Sequence, residues 1–299
     1  MRIRYIINYL TRFFLLRLAK LNLSNKSIPR LFTLSNDYLG SFVNTEGMYE
    51  KDLLHELKRS LGSEFNNKLF LDIGANIGNH SIFLASSFEE VHSFEPNPDT
   101  LPILKHNINF NNIDNINVHQ YGIGNENTEL ELHTPSFDLG KSSIFKEPVK
   151  YSEQGNSYVL KSRKVQIKKL DDIEYFKNKK IGMIKIDIEG SEILALKGAK
   201  SVIEYNMPLI GVEVHQFDGP TGLEEITKFF KGLGYDVFFT IDMKRPSNYW
   251  LFNNFVFKAL YRFIVGTDYS IQKIDKIENR FYQLFFACTA ETYSALKKD

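Results

Sequence analysis

The sequence predicts an α/β fold in which a mostly parallel sheet is covered by helices on both faces. From residue 68 onward, short apolar runs alternate with stretches of helical periodicity, which is the pattern of strands joined by crossover helices. The 299 residues are 43% hydrophobic and 24% charged, so the chain can build a large core. These observations exclude a disordered chain and a small disulfide-stapled scaffold.

Seven apolar runs are the expected strands of this sheet, and helices lie between them. The strands are Leu69–Ile73, Val91–Phe94, Asn117–Tyr121, Ile181–Ile186, Pro208–His215, Asp236–Ile241 and Phe281–Thr289. Asn79–Phe88 is the first helix. Asn97 can cap the second helix while Pro98 takes its first position, where a missing N–H leaves no bond unmade. A third helix covers 191–205.

Two insertions interrupt this alternation. The alternating segments Thr128–His133 and Lys164–Lys169 predict an antiparallel pair, and the polar stretch between them, 134–162, indicates a loop positioned to lie over a site. A second, aromatic insertion covers 242–280, between the last two strands. We therefore expect one domain over 46–299 that carries both insertions.

The sharpest motif is a glycine-containing turn, residues 72–78, between the first strand and its helix. Gly74 and Gly78 let the backbone approach a ligand closely, and the following helix aims its N–H groups at it. Glu95 ends the next strand, 21 residues after Gly74, where a carboxylate can accept both hydroxyls of a ribose. Together the turn and the acid predict a site for a nucleoside-containing cofactor.

The turn departs from the dinucleotide fingerprint G-x-G-x-x-G. Asn76 stands at the position of the second glycine, and Asn79 at that of the third. Both residues disfavour a nicotinamide cofactor and redox chemistry. Asp72 precedes the turn, and an acid there suits a ligand with a carboxylate and an amine better than one with a pyrophosphate.

A second group of polar residues follows the fourth and fifth strands. Asp187 and Glu189 lie at the carboxyl edge of the sheet, where ligands bind in open α/β folds. They could orient an acceptor hydroxyl, act as a base or coordinate a divalent cation, but two carboxylates alone do not define a metal site. The alternative is that one of them caps the helix that begins at Ser191.

His215 ends the fifth strand and shares a face with Glu213. An imidazole titrates near neutrality and can accept the proton of a hydroxyl as a group is transferred to its oxygen. The alternative interpretation is a solvent-exposed loop histidine.

Three motifs in this order resemble those of the FkbM-type S-adenosylmethionine-dependent methyltransferases, over about residues 68–215. They are Asp72-Ile-Gly-Ala-Asn-Ile-Gly78, Ser93-Phe-Glu-Pro-Asn97 and Ile184-Lys-Ile-Asp-Ile-Glu-Gly190, the last followed by Ser191-Glu192 and Lys197-Gly198-Ala199. The resemblance implies a Rossmann-like class I methyltransferase fold, with a seven-stranded sheet whose last strand is antiparallel. It also implies methyl transfer from S-adenosylmethionine to a hydroxyl of a sugar or another metabolite.

The resemblance also implies roles for the matching residues. The glycine turn would cradle the methionine part of the cofactor, Glu95 would hold its ribose, and Asn97 and Gly122 would lie near the adenosine. With Asp72, the candidate cofactor-binding residues are Asp72, Gly74, Asn76, Gly78, Glu95, Asn97 and Gly122. The candidate catalytic residues are Asp187, Glu189 and His215.

The charge is unevenly distributed. Residues 1–36 hold seven basic and no acidic residues, and the aromatic segment 243–267 holds four basic and no acidic residues. Since the whole chain is only +1, the remainder carries −10. The near-neutral total argues against a uniformly basic nucleic-acid-binding protein.

Residues 1–30 predict a basic amphipathic helix within an N-terminal extension, 1–45. Its apolar stripe, interrupted mainly by Arg17, is Ile3, Ile6, Ile7, Leu10, Phe13, Phe14, Leu18 and Leu21. Such helices commonly lie in a membrane interface, so 1–30 and 243–267 are candidate peripheral membrane contacts. Alternatively, the first packs on the domain and the second forms a lid.

The single cysteine, Cys288, allows no internal disulfide, and no apolar run reaches 18 residues. We therefore expect a cytoplasmic protein. The two candidate membrane contacts would place it at the inner face of the membrane, and the resemblance implies that it methylates a sugar of a surface glycan or of a lipid-linked saccharide. Two other functions remain open: methylation of a small-molecule hydroxyl, and a non-catalytic membrane protein on the same fold.

Overall fold

An eight-stranded sheet forms the centre of the molecule. The structure is a computed structural model that describes residues 2–34, 37–135, 142–144, 160–214, 219–243, 268–278 and 280–296. Its strands are β1 (Leu69–Ile73), β2 (Glu90–Phe94), β3 (Ile116–His119), β4 (Gly122–Ile123), β5 (Thr128–Pro135), β6 (Leu160–Lys168), β7 (Ile181–Ile186), β8 (Leu209–Val214), β9 (Val237–Met243), β10 (Tyr269–Lys273) and β11 (Tyr282–Cys288). The strand order of the main sheet is β10-β9-β11-β8-β7-β1-β2-β3.

The centre of this sheet is parallel, and two late strands, β10 and β11, run in the opposite direction. β1 pairs in parallel with β2 and β7, and β7 with β8, whereas β11 lies antiparallel between β8 and β9. β1 and β7 are buried along their whole length, which is why both read as continuous apolar runs. The predicted fold class is confirmed.

The expected number of strands is wrong by one in the described part of the chain. β10 comes from the second insertion and pairs antiparallel with β9 at the edge of the sheet, from Tyr269 opposite Met243 to Lys273 opposite Phe239. Its residues are only half-buried, as expected for an edge strand, and this weakens the apolar signal by which the other strands are recognised. Cys288 is fully buried at the end of β11.

Helices cover both faces of the sheet. They are α1 (Arg2–Ser24), α2 (Tyr38–Glu46), α3 (Lys51–Ser60), α4 (Asn79–Leu84), α5 (Leu101–Phe110), α6 (Glu192–Gly198), α7 (Lys200–Asn206), α8 (Gly219–Gly232) and α9 (Ala290–Ala295). One core lies beneath α6, α7 and α8, with Leu196, Ile203 and Phe230 fully buried. The opposite core lies beneath α3 and α4, with Leu57 and Phe83. No helix of the described residues combines the length and hydropathy needed to cross a bilayer.

Two helix boundaries differ from those expected. α5 begins at Leu101, because the side chain of Asn97 accepts from the Asp99 N–H in a separate turn instead of capping the helix. The helix expected over 191–205 is divided into α6 and α7 at Ala199. Gly198 lies against the carbonyl of Gly124, so the chain turns where these two backbones meet.

The first insertion forms a small second sheet of order β4-β6-β5. β5 and β6 pair antiparallel from Thr128 opposite Ile167 to Pro135 opposite Leu160, so the expected antiparallel pair is confirmed. The third main-sheet strand ends at His119, because Gly122 and Ile123 leave to pair with β6.

Candidate active site

The glycine turn after β1 has a backbone that few side chains would tolerate. Gly74, Asn76 and Gly78 have φ of 83°, 50° and 91°, which is the left-handed region that glycine and asparagine adopt most readily. A Cβ on Gly74 would overlap the carbonyl oxygen of Asp187. The N–H groups of Gly74 and Ala75 both donate to the Phe94 carbonyl at 3.0 Å. The turn is therefore pressed between the ends of β2 and β7.

Glu95 closes this turn from the end of β2. Its Oε2 accepts from the Asn76 N–H at 2.9 Å, and its Oε1 accepts from the Asn97 N–H at 2.7 Å. Burial raises the pKa of Glu95 to about 7, although these two N–H groups oppose the rise. Each carboxylate oxygen keeps a second lone pair, so both can still accept a ligand hydroxyl.

A cavity opens beside this turn. Four predicted cofactor residues line it, namely Gly74, Asn76, Glu95 and Gly122, and so do the predicted catalytic residues Asp187 and Glu189. Phe94, Ile123, Leu130 and Ile167 give it an apolar wall. The cavity thus joins the glycine turn to the carboxylates at the end of β7.

Three predicted cofactor residues support the cavity instead of lining it. Asp72 is fully buried, and its Oδ2 accepts from Ser81 Oγ at 2.6 Å, so it offers no surface to a ligand. Gly78 lies close to Leu104 of α5 and allows that helix to pack. Asn97 donates from Nδ2 to Ser142 Oγ at 3.0 Å and is 1% exposed.

Lys185 connects the two halves of the site. Its ammonium donates to the Gly74 carbonyl at 2.9 Å and lies 3.3 Å from Asp72 Oδ1 and 3.1 Å from Asp187 Oδ2. Burial alone would lower the pKa of Lys185, but the carboxylates of Asp187 and Asp72 raise it above its ordinary value. The sequence contained a signal for this role, because Lys185 is the one charge inside the apolar run of β7.

Asp187, Glu189 and Glu213 form a cluster in which one oxygen of each carboxylate lies within 4.8 Å of the others. Burial would raise the pKa of Asp187. The charge of Lys185, and then the hydrogen bond between Asp187 and Glu213, instead lower this pKa to about 2. Burial and the charge of Asp187 raise the pKa of Glu213 well above its ordinary value. Of this pair, Glu213 therefore holds a proton more readily, and Asp187 is ionised at neutral pH.

The same cluster has the donor chemistry of a hard-cation site, since Mg²⁺ and Ca²⁺ prefer carboxylate oxygens. The sequence identified two carboxylates at this position, Asp187 and Glu189. The structure adds Glu213 as the third. A divalent cation held here would compete with protons for Glu213, because a raised pKa favours the protonated carboxyl.

The sequence that forms this site matches a known protein family. A family model described as "Methyltransferase FkbM domain" matches residues 72–237, more than half of the chain. The chain belongs to the FkbM methyltransferase family.

Individual relatives of this FkbM methyltransferase are distant. Methyltransferase 1 of Beauveria bassiana (strain ARSEF 2860) is 26% identical over 146 residues, covering 44% of this chain and 59% of that protein. The hexuronic acid methyltransferase AglP of Haloferax volcanii is 26% identical over 160 residues, covering 52% of this chain and 59% of that protein. The crystal structure of Methyltransferase FkbM from Methylobacillus flagellatus KT aligns with a TM-score of 0.44 at 17% identity, over 91% of this chain and 58% of that chain.

Within the FkbM domain, Glu192 holds the turn that carries the catalytic candidates. Its Oε1 accepts from the N–H groups of Ile188 and Gly190, both at 3.1 Å. Burial raises the pKa of Glu192 to about 7, although N–H groups of the turn oppose the rise. Glu192 therefore fixes the backbone of the turn that carries Asp187 and Glu189.

Residues before the FkbM domain complete one side of this cluster. The Tyr49 N–H donates to Asn79 Oδ1 at 3.1 Å, and Asn79 Nδ2 donates to the Tyr49 carbonyl at 2.9 Å. Glu50 has a left-handed backbone with φ of 52°, and its Oε2 lies 2.9 Å from Nε2 of His80. Burial, and then the charges of Glu50, Glu213 and Asp187, raise the pKa of Tyr49. Sequence periodicity gives no signal for these contacts.

The polar loop contributes to the site where the structure describes it. Ser143 Oγ donates to the Glu189 carbonyl at 3.1 Å, and its backbone forms a bridge to His133. Ser142 lines the cavity. The remainder of the loop between 135 and 160, apart from 142–144, lies outside the described residues, and so do His215 and nearly all of 243–267.

Proposed function

We propose that this protein is an S-adenosylmethionine-dependent O-methyltransferase that acts on a hydroxyl of a saccharide. The observation that carries the proposal is that one cavity is lined both by Gly74, Asn76 and Glu95 and by the carboxylates Asp187 and Glu189. A cofactor seated on the glycine turn would therefore present its reactive group beside groups able to hold an acceptor. The family assignment supports methyl transfer as the reaction.

The residues around the cavity fit the cofactor. Glu95 offers free lone pairs to the hydroxyls of a ribose, and the apolar wall suits an adenine ring. Among the described residues, the buried atoms Asn76 Oδ1 and Ser191 Oγ have no hydrogen-bond partner, and both residues line the cavity. The polar end of an amino acid would satisfy such atoms. When bound, S-adenosylmethionine supplies an electrophilic methyl group.

The chain itself must orient the acceptor and remove its proton. Asp187 is ionised and 31% of its side chain is exposed, so it can accept a hydrogen bond from the acceptor hydroxyl. A carboxylate with a pKa of about 2 takes up a proton poorly at neutral pH. We therefore assign orientation to Asp187 and proton uptake to Glu189 or His215. Much of the rate enhancement would come from alignment of the hydroxyl.

A saccharide is the acceptor class that these groups suit best. Closely placed carboxylates can accept hydrogen bonds from neighbouring hydroxyls of one polyol. One relative of the chain is named as a hexuronic acid methyltransferase, which adds support for a sugar of a surface glycan or its lipid-linked precursor. A hydroxylated small molecule is the second candidate acceptor.

Calorimetry with the full-length protein tests the cofactor. We expect a binding heat with S-adenosylmethionine that is lost in Glu95→Ala. Glu129→Ala is the matched control, since Glu129 is an exposed acid on β5 that pairs with Lys164. No heat with the unchanged protein would overturn the cofactor assignment, and an unaltered heat in Glu95→Ala would overturn the role of Glu95.

Mass spectrometry tests the acceptor. Surface glycans and lipid-linked saccharides are compared between cells with and without the gene, and we expect the loss of one methyl group. Unchanged saccharides, together with a methylated small molecule that disappears, would favour the second candidate. Cofactor binding without methyl transfer to any acceptor would favour a non-catalytic role.

We further propose a cytoplasmic location with peripheral membrane contact through residues 1–30 and 243–267. Cys288 is buried and therefore gives no sign of an oxidising compartment, which supports the cytoplasmic location. The exposure of α1 supports the membrane contact.

A further inference from the structure

We infer that α1 is a lipid-binding helix that docks this protein on an anionic bilayer surface. From Arg4 to Arg17, every residue of α1 is exposed. The apolar members of this stretch include large side chains, such as Ile6 at 56%, Phe14 at 60% and Leu16 at 59% exposure. Large apolar side chains gathered on one exposed helix indicate a surface that contacts another phase or molecule.

Among the described residues, it is the last part of α1 that is held against the rest of the molecule. Leu18, Ala19 and Asn22 are half-buried, and α1 lies against α2. Asn22 Nδ2 donates to the Thr45 carbonyl at 3.2 Å. The following segment enters the core through Ile28. The helix is therefore held at one end and presents its first four turns to the surroundings.

The charges of α1 favour anionic lipid as the occupant. Arg4, Arg12, Arg17 and Lys20 are exposed, and residues 1–36 contain no acidic residue. The guanidinium of Arg17 lies 5.8 Å from the ring centre of Phe13, so its stem covers the apolar stripe while its charge can reach the headgroups. Apolar side chains combined with basic ones suit the interface of an anionic bilayer.

The same charges give the docked protein an orientation. Apart from the two acid-free segments, the chain carries −10, and an anionic surface repels that part while it attracts α1. A second copy of the chain could cover the apolar stripe with its own α1, but that pairing would bring two basic, acid-free helices together. An anionic bilayer can bury the apolar side chains of the stripe and bind the basic side chains through its headgroups.

The docking helix is connected to the acceptor side of the site. α1 packs on α2, which ends at Glu46, and the next residue, Gly47, lies beside Ile28 and Asn22. Two residues later, Tyr49 and Glu50 stand beside the Asp187 cluster. One short segment therefore joins the bilayer contact to residues near the Asp187 cluster. If the proposed function holds, on which this step rests, the acceptor is a saccharide carried on a membrane lipid.

Vesicle co-sedimentation of the full-length protein tests the docking. The probes are vesicles of phosphatidylcholine alone and of phosphatidylcholine with phosphatidylglycerol at about 3:1. We expect binding to the mixed vesicles that weakens as salt is added. Phe13→Ser with Phe14→Ser should weaken this binding by about tenfold or more. Arg12→Gln with Arg17→Gln should weaken it about fivefold for each charge removed.

The matched control is Tyr205→Ser, which removes a 70% exposed aromatic side chain from α7 and should leave vesicle binding unchanged. Absence of binding to the mixed vesicles would overturn the inference, as would equal binding by the Phe13/Phe14 variant. Sedimentation velocity without lipid tests whether a second copy of the chain binds α1 instead. Self-association that is abolished by the Phe13/Phe14 variant would assign α1 to a second copy. All variants should retain the calorimetric signal of S-adenosylmethionine, so failure of docking and failure of the proposed function are measured separately.

Discussion

The Lys185 ammonium lies 3.1 Å from the Asp187 carboxylate, at the point where the cofactor side of the site meets the acceptor side. The same ammonium bonds to the Gly74 carbonyl and faces Asp72. One buried cation thus sets the position of the glycine turn and the ionised state of the carboxylate proposed to hold the acceptor.

Lys185→Met should therefore lower both stability and activity. It leaves Asp72 and Asp187 without their cation, and breaking a buried pair in this way destabilises a protein by about 3–5 kcal/mol. Urea unfolding measures the change. Lys197→Met is the control, because the pair of Lys197 with Glu225 is about half exposed and contributes roughly 0–1 kcal/mol. Equal losses in the two variants would show that the buried network has no special role.

Gly74→Ala should be among the most damaging single-methyl changes in the chain. The added Cβ would overlap the Asp187 carbonyl, in a backbone with φ of 83° that alanine adopts poorly. Gly232→Ala is the matched control: no atom lies within 4 Å of its added Cβ, and in a helix alanine is favoured by about 0.5–1 kcal/mol. We expect thermal unfolding to move down in the first variant and slightly up in the second. A tolerated Gly74→Ala would contradict the contact between the two turns.

The sequence was sufficient for the features that depend on neighbouring residues. Glu95 and Asp187 were placed correctly at strand ends, because an apolar run followed by a polar residue defines such an end locally. β10 was missed, because a half-buried edge strand inside an aromatic insertion shows only weak alternation of apolar and polar residues. The contacts of Tyr49, Glu50 and His80 were missed for another reason: they depend on how α3 packs against α4, across 30 residues of chain.

Other residues of the site were within reach of the sequence. A lysine inside the apolar run of β7 requires a buried partner, and Asp72 and Asp187 were already candidates at that edge. Glu213 lies near the end of β8, so its proximity to Asp187 follows once β7 and β8 are paired with Ile186 opposite Val212. Its protonation does not follow, because that depends on how deeply the three carboxylates are buried together.

Glu213→Gln should make folding stability less dependent on pH. Since the pKa of Glu213 is raised in the folded state, the folded protein keeps a proton that the unfolded chain releases, and stability falls as pH rises. Glu95 and Glu192, with pKa values of about 7, add to this fall. Glutamine can keep the hydrogen bond to Asp187 without titrating. The free energy of unfolding in urea, compared between about pH 5 and pH 8, should decline less in the variant.

Glu129→Gln serves as the control for this pH dependence, because Glu129 is exposed on β5 and should leave the decline as it is in the unchanged protein. An undiminished decline in Glu213→Gln would mean that Glu213 is already ionised in the folded state. The proton shared with Asp187 would then be absent, and a cation at the cluster would not have to displace it.

Cofactor affinity should rise with pH through the titration of Glu95. The pKa of Glu95 is raised to about 7, first by its burial, and only the ionised form can accept hydrogen bonds from both hydroxyls of a ribose. If binding requires that form, the dissociation constant should fall about tenfold between about pH 6 and pH 8, as the competent fraction grows. Calorimetry across this range measures it. Glu95→Gln should bind more weakly at every pH and lose the dependence, whereas Glu129→Gln should keep it. A pH-independent affinity in the unchanged protein would mean that the cofactor binds Glu95 in its protonated state, so that one carboxyl oxygen donates to the ligand.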